Sequence, residues 1–355
     1  MLTAPGEPGV SRPAVSVIVL NYNGARWIER CLRSLAEQTI FSQAEVIVAD
    51  NRSEDGSDGT AARVLAGWRN GIFIQHGSNL GFCEGNNRAA DAARGEYLFF
   101  LNNDTWLEGD CLERLLAGAR TMNAGAATPL VLNYDDNAVQ LVFGVGFDIF
   151  GLPAFAERKP GFCEIFMPPG CSYLVETKLF RGVGGFDKEI YLYSDELDLS
   201  WRIWIAGRSC GAIQTARLHH RWAANVNPKG DERVVEFRTS ETKRFYANRN
   251  NLMVLLKNSQ HLLLLLLPLQ LALFGLEAVA GWILLRRWSF VRRTFLDAVA
   301  DCWRLRRHIL AERRRIRVLR RRSDWWMLRF LTWRLNRWDE IQRVRRLGVP
   351  RVTPN

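Results

Sequence analysis

The chain has 355 residues, 48% of them hydrophobic, and a formal net charge of +11, which describes a globular protein with room for one large domain or two modest ones. Seven scattered cysteines, odd in number and never in a CxxC pair, exclude a disulfide framework or a structural zinc site and read as reduced, mostly buried thiols in a cytosolic setting. Acids and bases roughly balance up to about residue 285, whereas Arg dominates from Arg286 onward, and such a basic tail suggests an anionic partner, either nucleic acid or a lipid surface.

Residues 1–13 contain Pro and Gly and no apolar run, so a flexible leader is expected rather than a signal peptide. AVSVIVLNYN (14–23) is a β-branched run that predicts a buried strand ending in a loop. Trp27, Ile28, Cys31, Leu32 and Leu35 recur at helical spacing within 25–39. AEVIVAD predicts a second strand ending at Asp50 and Asn51, and DGTAARVLAGW a second helix with Asp58 as its candidate cap. GIFIQHG, GNNRAADAARG and EYLFFLNND predict a third strand, a third helix closed by Gly95, and a fourth strand. Strands alternating with helices predict a parallel α/β sheet.

Ligands of such sheets lie beyond the carboxyl ends of the strands. Those ends carry Asn21–Asn23, Asp50–Asn51, Asn79 and Asn102–Asp104. A polar turn after one strand is ordinary chain reversal. Four of them converging on one edge favour a site. No GxGxxG follows the first strand and no GxxxxGK[ST] occurs, which counts against dinucleotide and P-loop binding.

Between 125 and 235 the pattern loosens. MPPGCSYLVETKLFRGVGGFDKEI holds one short strand and one short helix. In YLYSDELDLSWRIWIAG, Leu199, Ile203 and Ala206 recur at helical spacing, and Asp195, Glu196 and Asp198 lie at the start, where the helix dipole favours carboxylates. Capping alone accounts for that placing. The density of acids, among Tyr191, Tyr193, Trp201 and Trp204, points beyond it. RSCGAIQTARLHHRW predicts a strand ending in His219 and His220.

The apolar stretch Leu262–Leu285 is long enough to cross a bilayer, but it contains Pro268 and Glu277, and a carboxylate near the middle is costly in lipid. A transmembrane helix, an interfacial or re-entrant hairpin and a buried core helix are the competing readings, with the membrane forms ahead. The last seventy or so residues interleave Arg with Trp, Phe, Leu and Ile, the pattern of a basic amphipathic element on an anionic membrane surface. Arg with aromatics also suits nucleic acid, but no nucleic-acid module is visible, so none is expected as a partner.

Taken together, VSVIVLNYNG at the start, VIVADNRSEDGSDGT (46–60), NLGFCEGNNRA (79–89), LNNDT (101–105), GVGGFDKEIYLYSDELDLSWRIWIAG (182–207) and ARLHH (216–220) resemble the family-2 glycosyltransferases of GT-A fold, in the bacterial rhamnosyltransferase-like branch. The resemblance extends over roughly residues 14 to 255. It implies a Rossmann-like nucleotide-diphospho-sugar transferase domain over 14–250, followed by membrane-associated helices over 251–355. It places Leu20, Tyr22, Asp50 and Asn51 around the nucleobase and ribose of the donor, with Asn79, Gly81 and Asn87 lining the same pocket. The NND at 102–104 takes the place of the family's DxD, so Asn103 would meet the donor and Asp104 would hold a divalent metal, Mg²⁺ or Mn²⁺, on its diphosphate. His219 matches the family's late histidine as a second metal contact, with His220 as the alternative. Glu196 matches the catalytic base by position; Asp195 comes one place early, because the acids stand in reversed order.

The chemistry suits these roles. A nucleoside diphosphate gains negative charge as its bond to the sugar breaks, and a hard cation on oxygen ligands neutralises it. The base must reach the acceptor hydroxyl. The resemblance thus implies an inverting, metal-dependent transfer of a sugar from a nucleotide-diphosphate donor, deoxythymidine-diphosphate-rhamnose first and uridine-diphosphate sugars next. The acceptor would be a lipid-linked glycan in cell-envelope polysaccharide synthesis, at the cytoplasmic face of the plasma membrane. The C-terminal helices could pair two protomers as a homodimer. The thin NND and the reversed acids keep a non-catalytic nucleotide-sugar-binding scaffold as the alternative, and a basic nucleic-acid binder as a third reading.

Overall fold

In the computed structural model, which describes residues 12–139, 143–156, 162–221, 238–347 and 351–353, the first part of the chain alternates strand and helix. Its elements are β1 (Val15–Asn21), α1 (Ile28–Ala36), β2 (Ala44–Asp50), α2 (Ser57–Ala66), β3 (Gly71–Gln75), α3 (Gly81–Asp91), β4 (Tyr97–Asn102), β5 (Thr105–Leu107) and α4 (Cys111–Thr121). Next come β6 (Ala126–Asn133), β7 (Phe143–Phe147), β8 (Pro153–Ala156), β9 (Phe162–Ile165), β10 (Ser172–Glu176), α5 (Thr177–Val183), α6 (Asp195–Ile205) and β11 (Cys210–His220). The remainder is β12 (Arg238–Ser240), α7 (Glu241–Asn258), α8 (Leu266–Leu285), α9 (Trp288–Val291), α10 (Asp297–Arg304), α11 (Arg306–Leu319), α12 (Asp324–Met327), α13 (Asn336–Leu347) and β13 (Arg351–Thr353). Most of the expected leader, residues 1–11, lies outside the described residues.

The main sheet runs β3-β2-β1-β4-β10-β6-β11-β5, with β9 also pairing β11. β3, β2, β1 and β4 are parallel, as the alternation predicts. The wholly parallel sheet expected from that alternation is corrected beyond β4, where β10 lies antiparallel between β4 and β6. A parallel neighbour needs a covering crossover, usually a helix. Between β6 and β10 the chain runs instead through the short strands β7, β8 and β9, so β10 enters from the opposite end.

Both faces of the sheet are covered, which is why β1 and β2 read as continuous apolar runs. Val15, Val17 and Val19 pack against α1, α2 and α4 on one face. Ile18 and Ile47 face the other core, which holds residues of α3, α6 and α7 together with Cys302, Ile309, Ile316, Met327 and Phe330 from the C-terminal part. The expected division at 250/251 falls inside α7, within that one core.

Two helix starts differ from expectation. α2 begins at Ser57, capped by Gly56 at φ 80°, so Asp58 lies in the first turn rather than at the cap. α3 begins at Gly81, four residues early, because the Asn79 side chain accepts from the Gly81 N–H (2.9 Å) and the Tyr191 carbonyl accepts from the Phe82 N–H (2.8 Å). The second partner is far along the chain, beyond the reach of any local pattern.

In α8, Pro268 sits in the first turn, where its missing N–H has no intrahelical partner to lose. Gln270, Phe274 and Glu277 share one flank at helical spacing; the first two are buried, and Glu277 pairs with Arg337 at 2.5 Å. The carboxylate that made a span costly therefore faces protein. The opposite flank, with Leu276 (71% exposed), Val279 and Ile283, faces outward.

Candidate active site

The ends of β1, β2 and β4 lie side by side because the register pairs Asn21 with Asp50 and Leu20 with Asn102. Asn21, wholly buried, is the hub. Its Nδ2 donates to Asp50 Oδ1 (2.7 Å) and to the Ser57 hydroxyl (2.8 Å), and its Oδ1 accepts from Asn103 Nδ2 (2.8 Å). Asp50 also accepts from the Ser53 N–H (2.8 Å), the Ser53 hydroxyl (2.6 Å) and Gln75 Nε2 (2.8 Å), so it braces the loop after β2. Gly24 has no room for a side chain: a Cβ would stand 2.2 Å from Asn103 Nδ2.

Asn51 Nδ2 donates to the Gly81 carbonyl (3.0 Å) and to Asn79 Oδ1 (3.3 Å), while Asn51 Oδ1 is buried without a hydrogen-bond partner. Leu20 lies beside it, both against Gly85, and Tyr22 stands exposed at the rim. These residues form one group at the strand ends. Asn87, further along α3, makes its hydrogen bonds to a different segment. It donates to the Phe186 carbonyl (2.8 Å) and accepts the Phe186 N–H (2.9 Å), clamping α3 to the segment before α6.

Asp104 follows β4 and is 8% exposed, and its Oδ1 has no hydrogen-bond partner. Burial raises its carboxyl above the ordinary range, with His220 opposing. β11 meets β5 in the register His219–Trp106 and His220–Thr105, and successive strand residues face opposite ways. His219 stacks on Trp106 with ring centroids 3.7 Å apart; its nitrogens lie 2.9 Å from the Asn133 carbonyl and 3.4 Å from Glu108 Oε1. His220 Nε2 lies 3.5 Å from Asp104 Oδ1. Of the two candidate histidines, the structure thus brings His220, the alternative, beside Asp104, and turns His219 toward Trp106 and Asn133. Burial pulls the His220 ring down, but Cys171 and Asp104 push it up, to about 9.

The unpartnered buried oxygen of Asp104 fits one flank of a divalent cation site, and the neighbouring His220 would join it by giving up the proton that its raised pKa holds. The remaining ligands would have to come from phosphate oxygens and water. Among the described residues no group of three or more His, Cys, Asp or Glu could hold a metal ion.

The acid cluster arrives on a contorted loop. Tyr191 (φ 62°), Tyr193 (φ 67°) and Ser194 (φ 62°) all have the positive φ of the left-handed region, and α6 starts immediately after them. Gly170 lies over the acids: a Cβ there would stand 3.5 Å from Asp195 Oδ2 and 3.8 Å from Glu196 Oε2. Its neighbour Cys171 accepts the Asn102 N–H through its carbonyl (3.1 Å) and lies beside His220. Residues 170–171 thus join the acid pair to the Asp104–His220 pair. Burial raises both carboxyls. Asp195 is pushed well above the ordinary range, by burial and then by the charge of Glu196 beside it. Glu196 is the less buried of the two and suits taking a proton from a hydroxyl.

Asp198 is committed elsewhere. It pairs with Arg202 (2.7 Å) and Lys257 (3.0 Å) and accepts from Asn258 Nδ2 (2.9 Å); despite burial, these cations hold its carboxyl below the ordinary range. Reading the sequence missed the hub role of Asn21 and its hydroxyl partners Ser53 and Ser57, although Asn21 showed as a polar strand end. It also missed Arg249 and Asn250, whose only signal is the polar run 248–251 directly ahead of the apolar stretch LMVLL in α7.

Residues 16–183 match the model of the family "Glycosyl transferase family 2". EpsH of Bacillus subtilis (strain 168) is 38% identical over 123 residues, 34% of this chain and 34% of that protein, so the match spans about a third of its length. The N-acetylglucosaminyl-diphospho-decaprenol L-rhamnosyltransferase of Mycobacterium tuberculosis (strain ATCC 25618 / H37Rv) is 27% identical over 235 residues, 58% of this chain and 75% of that protein. Among solved structures, S. aureus TarS 1-349 in complex with UDP-GlcNAc superposes with a TM-score of 0.57 at 17% identity, over 81% of this chain and 80% of that one, a likeness of fold.

Proposed function

Since this chain belongs, through residues 16–183, to glycosyl transferase family 2, we propose that it is an inverting glycosyltransferase that moves a sugar from a nucleotide-diphosphate donor to a lipid-linked glycan. The nucleoside would lie among Leu20, Tyr22 and Asn51, where the Asn51 Oδ1 lacks a partner. The diphosphate would lie over Asn103 and Asp104. Asp104 and His220 would hold Mg²⁺ or Mn²⁺ there; such a cation neutralises charge on the departing diphosphate.

Glu196 takes the proton from the acceptor hydroxyl as that oxygen bonds to the anomeric carbon. The bond from that carbon to the phosphate oxygen breaks, and the nucleoside diphosphate departs with the electron pair. Asp195 shares the buried site beneath Gly170 with Glu196 and is the second carboxyl of the pair. The name of the mycobacterial relative supports rhamnose as the sugar and a polyprenyl diphosphate glycan as the acceptor, hence cell-envelope polysaccharide synthesis. The outward flank of α8, with the Arg-rich helices after it, suits docking on the anionic cytoplasmic face of the plasma membrane.

One observation carries the reading: a buried Asp104 oxygen without a hydrogen-bond partner, 3.5 Å from His220, at the carboxyl end of parallel strands. Thermal unfolding with UDP and deoxythymidine diphosphate, with and without Mn²⁺ or Mg²⁺, tests it. A ligand that binds only the folded state raises the midpoint. A metal-dependent rise with one nucleotide is expected; none with any combination, in folded protein, removes the reading.

A further inference from the structure

Three consecutive polar residues of α7 hold the acid loop from behind. Asn250 is wholly buried, and its Nδ2 spreads two N–H bonds over three carbonyls, those of Ile190 (3.0 Å), Leu192 (2.8 Å) and Tyr193 (2.8 Å). Arg249 donates through Nη2 to the carbonyls of Glu189 and Ile190. Asn251 Oδ1 accepts the Ser194 hydroxyl (2.9 Å). These bonds cover every residue from Glu189 to Ser194 except Tyr191, whose carbonyl takes the Phe82 and Cys83 N–H groups of α3.

That is the loop with three non-glycine residues at positive φ, and it runs directly into Asp195 and Glu196. L-residues adopt that conformation only when surrounding contacts over-determine it. The clamp is itself anchored: Arg249 Nη1 donates to Asp301 of α10 (3.0 Å), and the Cys302 thiol donates to the Arg249 carbonyl (3.3 Å). We propose that Asn250, seconded by Arg249, is the positioning residue of the transfer reaction, holding the loop in its contorted form so that Glu196 meets the acceptor hydroxyl. The proposal rests on Glu196 being the base. It assigns Asn250 no contact with substrate.

The test compares the full-length protein with Asn250→Ala, and with Asn248→Ala as a control. Asn248 is as deeply buried on the same helix but donates to the Thr294 carbonyl (2.9 Å), away from the loop. The first readout is amide hydrogen exchange. Asn250→Ala is expected to lose protection over 191–196, and Asn248→Ala to keep it. The second is release of UDP or deoxythymidine diphosphate from UDP-N-acetylglucosamine and deoxythymidine-diphosphate-rhamnose, with water as acceptor.

For Asn250→Ala, kcat should fall by about ten- to a hundredfold while the donor KM stays within about twofold, the pattern of a geometric loss at the reacting centre. Its acid limb should move to lower pH, because a relaxed loop lets water reach carboxyls that burial had raised. Tyr193, Asp198, Tyr173 of β10 and Cys83 of α3 face that pair, and Asn250 bonds to none of their side chains. Equal losses in both variants, or unchanged exchange over 191–196, would overturn the clamp. If Asn250→Ala does not fold, Arg249→Lys keeps the charge but not the fork, and the same readouts decide. If the wild type releases neither nucleotide, the transferase reading fails instead, and the exchange data still decide the clamp.

Discussion

In the proposed reaction Asp104, His220 and Glu196 carry the chemistry, and each can be tested alone. Asp104→Ala should abolish metal-dependent stabilisation by a nucleoside diphosphate, read as loss of the midpoint shift. His220→Ala should do the same, whereas His219→Ala should keep the shift and lower the midpoint itself, because His219 is stacked on Trp106 and bonded to Asn133. The reverse result would return the metal contact to His219. Glu196→Gln should cut kcat by about 10²–10⁴-fold with donor binding intact. The acid side of the rate profile should fall through a carboxyl pKa above the ordinary glutamate range, since burial favours the neutral acid. Near-normal turnover in Glu196→Gln would leave a donor-binding scaffold in place of an enzyme.

The element that fixes the acid pair is α6, and its anchor is an ionic network. Asp198 pairs with Arg202 and Lys257, Lys257 also meets Asp187, and His308 of α11 lies 2.9 Å from Asp187. All but His308 are almost wholly buried. Asp198→Ala leaves Arg202 without its carboxylate, and breaking a buried pair from one side costs about 3–5 kcal/mol. Chemical denaturation should read that loss, and a change below about 1 kcal/mol would show the network to be idle.

The pH dependence of the network has two signs. Asp187 and Asp198 are held below their ordinary value of 3.8, so their stabilisation is complete above that pH and fades as pH falls below it. The hydrogen bond to Asp187 raises His308 above 6.5, so its part is complete below 6.5 and fades as pH rises through the raised value. His308→Gln should therefore flatten the alkaline side of the stability curve and leave the acid side unchanged. An alkaline side as steep as the wild type would assign the loss to other groups.

Across the whole molecule, the C-terminal part is both core and surface. Its inner side chains complete the second core, while Leu276, Val279, Ile283, Trp288 and Trp303 point outward beside a dense set of Arg. Full-length protein should sediment with phosphatidylglycerol-containing vesicles, less so at high salt. Leu276→Glu with Ile283→Glu should release it without moving the melting temperature, because both side chains are more than 60% exposed. Undiminished sedimentation of the double variant would place the contact elsewhere. Salt-sensitive binding to RNA with no vesicle binding would revive the nucleic-acid reading.

The parallel half of the sheet and α6 were legible because each is a local pattern with a period of 2 or 3.6, and the polar strand ends and the two histidines closing β11 because they follow directly on such runs. The family's motifs added the roles. The sequence by itself thus determined which residue types reach the edge of the sheet. Only the tertiary structure decided which of them meet: His220 rather than His219, which needed the register of β11 on β5; the antiparallel β10, which followed from the missing crossover; the early start of α3, set by Tyr191; the diversion of Asp198 into ion pairs with Arg202 and Lys257; and the grip of Asn250 on the acid loop. Most of these depend on partners scores of residues apart, and a contact across that distance leaves no periodic trace in the sequence on either side.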